Sequence, residues 1–138
     1  MRTLTLLLIV LALSGALHAQ EFKPYARSKI TPAEWEHYFE RVKSGHSASA
    51  QELGERKLVV FTDEQTSTIY AFTQPGHPAH PAWVTSRLVR QNGELDVRQI
   101  GYFAGDKTAF ETLFREYIAL NDKLKREAGE RSLKGGKP

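Results

Sequence analysis

The chain opens on an unbroken apolar run, Leu6-Leu7-Leu8-Ile9-Val10-Leu11-Ala12-Leu13, behind the positive Arg2 and ahead of the small residues Ser14, Gly15 and Ala16. That order is the order of a secretory leader, and the run is well short of the roughly 20 residues that cross a bilayer. Residues 1–19 are therefore expected to be a cleavable signal peptide, cut after Ala19 or after Ala16. Downstream the apolar positions settle into two periods. Trp35, Tyr38, Phe39 and Val42 recur at helical spacing behind Thr31-Pro32-Ala33-Glu34, a sequence with an N-cap, a first-turn proline and a glutamate placed to close a capping box. Gly45 supplies the stop. Residues 58–62 and 68–73 are rich in β-branched and aromatic side chains and flank the polar turn Asp63-Glu64-Gln65-Thr66, which predicts a hairpin.

A second hairpin is marked by Asn92-Gly93, the preferred type I′ pair, between residues 83–91 and 94–103. Counting back from that turn sets Gln91 opposite Glu94, Leu88 opposite Val97, Arg87 opposite Arg98 and Trp83 opposite Tyr102. Val84, Leu88, Leu95 and Val97 then share one face, which is assigned to the core. A last helix opens at Asp106 or Thr108, carries Phe110, Leu113, Phe114, Tyr117, Ile118 and Leu124 on one stripe, and is expected to end near Gly129. The predicted architecture is α+β: a four-stranded antiparallel sheet of two hairpins, with an N-terminal and a longer C-terminal helix packed on one face. Residues 20–128 form its single domain, and 129–138 a flexible basic tail.

Composition narrows the chemistry. There is no cysteine, which excludes a lipid-modified anchor, a disulfide framework, a thiol nucleophile and thiolate metal sites. The formal charge of +3 suggests nucleic acid until the charges are placed. Without Arg2 the net is +2, and residues 123–138 carry six basic against two acidic side chains, so residues 20–122 are at −2. The basic character belongs to the C-terminal end, and a nucleic-acid partner is not expected. No Gly-x-Ser-x-Gly, phosphate-cradling glycine loop or His-Glu-x-x-His motif is present.

Two features remain. The first is the link between the hairpins, Pro75-Gly76-His77-Pro78-Ala79-His80-Pro81, where each proline holds the residue before it extended. In polyproline geometry His77 and His80 project to one side, about 9 Å apart. They are half of a candidate zinc or copper site, with Asp63, Glu64 or His46 as third ligand. The second is the Trp83, Arg87, Arg98 and Tyr102 strip on the face opposite Leu88, with Asp96 placed to neutralise the arginines diagonally. Aromatic and arginine side chains together suit a protein-binding surface, provided nothing covers them.

Residues 72–87, Phe-Thr-Gln-Pro-Gly-His-Pro-Ala-His-Pro-Ala-Trp-Val-Thr-Ser-Arg, are similar to a segment of small uncharacterised exported bacterial proteins. The resemblance implies an envelope location and makes the histidine–proline loop a feature of the type. It implies no activity. The expected function is a non-catalytic periplasmic or secreted binding module for another envelope protein or polymer. A metal-binding protein or metal-dependent hydrolase using His77 and His80, and an envelope-enzyme inhibitor acting through the proline loop, are the alternatives.

Overall fold

A computed structural model describes residues 27–135. Residues 1–26, which include the expected signal peptide, and residues 136–138 lie outside the described residues. The element order is α1 (Pro32–His46), a 3-10 turn (Ser47–Ser49), β1 (Gln51–Leu53), β2 (Leu58–Asp63), β3 (Thr68–Thr73), β4 (Ala82–Gln91), β5 (Glu94–Phe103) and α2 (Lys107–Gly135). The strands make one antiparallel sheet in the order β1-β2-β3-β4-β5. It has five strands instead of the expected four. The addition, Gln-Glu-Leu, is three residues long and has no apolar alternation to announce it. It forms because β2 has a free edge and the chain turns back onto it at Leu53↔Leu58.

Local chemistry sets the elements as their sequences suggest. Thr31 Oγ1 accepts the Glu34 N–H at 3.1 Å and Glu34 Oε1 accepts the Thr31 N–H at 3.1 Å, so the capping box at α1 is complete. The β4–β5 hairpin has the expected register, from Gln91↔Glu94 through Arg87↔Arg98 to Trp83↔Tyr102, with Asn92 and Gly93 at φ 55° and 80°. At α2 the first of the two possible starts is used: Asp106 Oδ2 accepts the Ala109 N–H at 2.8 Å. The helix then runs through Gly129 to Gly135. A lone glycine costs about 1 kcal/mol in a helix, and the Lys, Arg, Glu, Ala and Leu residues around this one carry the helix past it.

The expectation that both helices pack on one face is corrected. Val59, Phe72, Trp83 and Tyr102 form one continuous row across four strands. That row clusters with Trp35, Tyr38 and Val42 of α1. The next row, Val60, Ala71, Val84 and Gly101, lies on the opposite face by strand alternation. There Leu58, Ala71, Val84 and Phe103 cluster with Phe110, Leu113 and Tyr117 of α2. The sheet is thus a wall between two cores, an aromatic one under α1 and a mixed one under α2. Because adjacent residues in β2, β3 and the first half of β4 are buried on opposite sides, their sequences read as continuous apolar runs.

A polar bridge fixes α2 on its face. Asn121 is buried and donates to Ser86 Oγ at 2.9 Å and Gln99 Oε1 at 2.7 Å, while Gln99 Nε2 donates to the Phe114 carbonyl at 2.8 Å. Past this bridge the expected core thins out: Val84 is 1% exposed, but Leu88 on the same face is 42% exposed. Asn121→Ala leaves the Ser86 and Gln99 groups without their partner, and a loss of about 1–3 kcal/mol of unfolding free energy in urea is expected. A change below about 0.5 kcal/mol would show the bridge to be dispensable.

Candidate functional site: a cleft under the histidine–proline loop

The link between β3 and β4 is two stacked turns rather than a polyproline segment. His77 N–H donates to the Gln74 carbonyl at 3.0 Å, and His80 N–H to the His77 carbonyl at 3.0 Å. Each turn has proline at its second position, where a fixed φ is suited, and Gly76 takes φ 97°, the left-handed value that the third position of a type II turn requires. The His80–Pro81 peptide is cis.

Side chains then hold the loop down. Thr73 Oγ1 accepts the Ala82 N–H at 2.9 Å and donates to the Ala82 carbonyl at 3.0 Å. His80 Nδ1 lies 2.8 Å from that hydroxyl and 3.1 Å from the Thr73 carbonyl, an arrangement that places its proton on Nδ1. The His80 ring meets Trp35 edge to face at 5.0 Å. His77 turns inward as well: its Nδ1 accepts the Ala79 N–H at 3.0 Å, which leaves the neutral ring with its proton on Nε2. Gly105 permits the closest approach, since a Cβ there would stand 2.5 Å from the His80 carbonyl oxygen. The loop is therefore inset, with Ala79 fully buried.

Beneath it is a cleft of about 570 Å³. Glu55, Arg56 and Lys57 enter from the β1–β2 turn, His77 and Pro78 from the loop, and Thr112 and Glu116 from α2, over an apolar floor that includes Leu58 and Leu113. Its volume falls within the range of small-ligand sites. Arg56 and Glu116 face each other at 3.7 Å, both about half exposed, so their attraction adds at most about 1 kcal/mol. Lys57 adopts φ 54°, a left-handed conformation that costs a non-glycine residue roughly 1 kcal/mol. Its carbonyl accepts the Gln74 N–H at 2.8 Å, tying the β1–β2 turn to the loop. Its side chain lies against Gly76, where an added Cβ would stand 2.8 Å from Nζ.

The structure separates the other predicted site residues. His46 and Asp63 do approach, at 3.9 Å, but Asp63 ends β2 whereas the loop packs beside its start. Five residues of strand, about 17 Å, separate them, so the expected third ligands do not reach His77 and His80. Among the described residues no group of three or more His, Asp or Glu side chains converges as a metal site. Trp83 and Tyr102, at 0% and 2% exposure, are core residues covered by α1, with Tyr38 stacked on Trp83 at 4.6 Å. The aromatic half of the expected binding strip is thus internal. Arg87 and Arg98 remain half-exposed neighbours. Asp96 is held by the Val97 N–H at 2.9 Å and by Lys125 at 3.3 Å, and these bonds, together with the Arg98 charge, keep its carboxyl below the usual range. Arg56, Lys57, Thr112 and Glu116 carried no signal in the sequence, because only the fold brings the β1–β2 turn and α2 to the loop. No known protein family, curated protein or solved structure matches the chain. Among the described residues no helix is long and apolar enough to cross a membrane.

Burial lowers the pKa of His77, with His80, Arg56 and Lys57 acting in the same direction and Glu116 against it. Burial also lowers that of His80, opposed by its bond to the Thr73 carbonyl. Both imidazoles therefore protonate more readily in the unfolded chain, near pH 6.5. Stability is full above that value and declines as pH falls from about 6.5 toward the folded-state pKa values. Melting temperatures between about pH 7.5 and pH 5 are expected to fall in the wild type and to change less in a His77→Gln/His80→Gln variant. Parallel profiles would show that these rings do not set the dependence.

Proposed function

We propose that this chain is an exported, non-catalytic binding module of a bacterial envelope, periplasmic or secreted, that receives its ligand in the cleft under the histidine–proline loop. The observation that carries this reading is the use of the two imidazoles. Each spends Nδ1 on holding the loop's own backbone, and His77, the one at the cleft, is left with an Nε2–H donor. A ring arranged in this way offers a hydrogen bond to a ligand, whereas a general base needs a free nitrogen lone pair. The Arg56, Lys57 and Glu116 charges around an apolar floor likewise suit recognition of a polar group attached to an apolar body. The leader-like run at residues 6–13 supports export.

Two measurements test this. Protein recovered outside the cytoplasm is expected to begin at Gln20, or at Leu17 if the cut follows Ala16, and an intact Met1 on mass spectrometry would overturn export. Amide shifts in isotope-labelled protein, titrated with the low-molecular-weight fraction of an envelope extract, are expected at residues 55–58, at Gly76 and His77, and at residues 109–116. They should vanish in Arg56→Ala/Lys57→Ala. Shifts confined to other surfaces would sink the cleft.

A further inference from the structure

The large apolar side chains exposed on the described residues are Leu88, Ile118, Leu120 and Leu124, and two of the four border one groove. Leu88 and Leu124, 42% and 39% exposed, line a groove of about 420 Å³ at the other end of α2 from the cleft, together with Ile69, Leu95, Val97 and Ala128. Leu120 stands one turn before Leu124 on the same helical ridge. The groove has a structural origin. At 1.5 Å per residue the 29 residues of α2 span about 43 Å, against about 34 Å for the 10 residues of β4. Close packing ends at the Asn121 bridge, and beyond it the helix and the hairpin tips line a space that neither fills.

Charge indicates the occupant. Asp63 and Glu64 stand on the groove's rim, and the Lys125 there is matched by Asp96 at 3.3 Å. The end of α2 has the opposite character, with five basic and two acidic residues from 123 to 135 against a net −2 for residues 20–122. One chain thus carries both an apolar groove with carboxylates and an apolar helical ridge in a cationic segment. We propose that the groove is filled by α2 of a second copy of this chain, in a two-fold dimer. Each copy lays its Leu120–Leu124 ridge into the other's groove and brings its cations to the other's Asp63 and Glu64. A two-fold arrangement uses both pairs of surfaces at once and closes, whereas a head-to-tail contact would propagate. A fatty acyl ligand fits less well, because the rim carboxylates repel an anionic head group.

The test is sedimentation velocity on untagged protein, expressed with its own leader and purified from the exported fraction, over a concentration series up to roughly 1 mM. A reversible dimer is expected, weakened by added salt and by Glu64→Lys. Leu88→Lys and Leu124→Lys should each weaken it by roughly tenfold or more while the circular dichroism spectrum stays unchanged, since both side chains are exposed in the single copy. A monomer throughout the series would overturn the proposal. So would a dimer indifferent to both leucine substitutions, or a monomer whose groove binds an apolar dye with Leu88→Lys abolishing the signal. The cleft lies elsewhere, so none of these outcomes bears on ligand binding there.

Discussion

Trp83 is wholly enclosed, with Tyr38 stacked on it at 4.6 Å, Tyr102 at 4.8 Å and Phe72 at 5.5 Å between ring centroids. An aromatic side chain of this size buries on the order of 200 Å², and here it joins α1 to the three strands β3, β4 and β5 at one point. The rest of the molecule follows from that placement. Once Trp83 points toward α1, strand alternation sends Ala82 and Val84 to the other side, where α2 must cover them. A shift of one residue in the β4–β5 register would exchange the two cores, setting aromatic rings against a helix built to meet Ala71 and Val84.

Much of this could be read in the chain because the relevant forces are local. A capping box, a type I′ turn and the count outward from Asn92-Gly93 depend on neighbours in sequence, and each stands as expected in the structure. The single-face arrangement failed for a reason that is itself legible. Leu58-Val59-Val60-Phe61 and Ile69-Tyr70-Ala71-Phe72 do not alternate, and such unbroken apolar runs signal strands covered on both sides. The β1 strand had no comparable signal, because it is a short edge held by backbone bonds to β2. Gly129 misled in the other direction, since a helix stop needs more than one weak residue.

At the candidate site the histidine–proline loop stood out by composition, and its turns follow from where its prolines and glycine fall. What the histidines do there could not be read, because Thr73, Ala79 and Trp35 engage them only after the loop has closed. The same holds for Asn121, Ser86 and Gln99, three polar residues from three elements that meet within a buried bridge. Trp83 and Tyr102 show the converse error. They share a face as expected, but whether a face is covered depends on a helix that ends 37 residues before Trp83 in the chain.

The sheet is a meander, so each strand pairs only with the strands next to it in sequence. Few residues separate partners at each β junction, and the entropy lost in closing such short loops is small. Chains dominated by pairings of this kind tend to reach the native state quickly. With no cysteine to oxidise or reshuffle, assembly also requires no redox catalyst. That combination shortens the interval in which the apolar runs of β2, β3 and β4 are open to one another before the sheet closes.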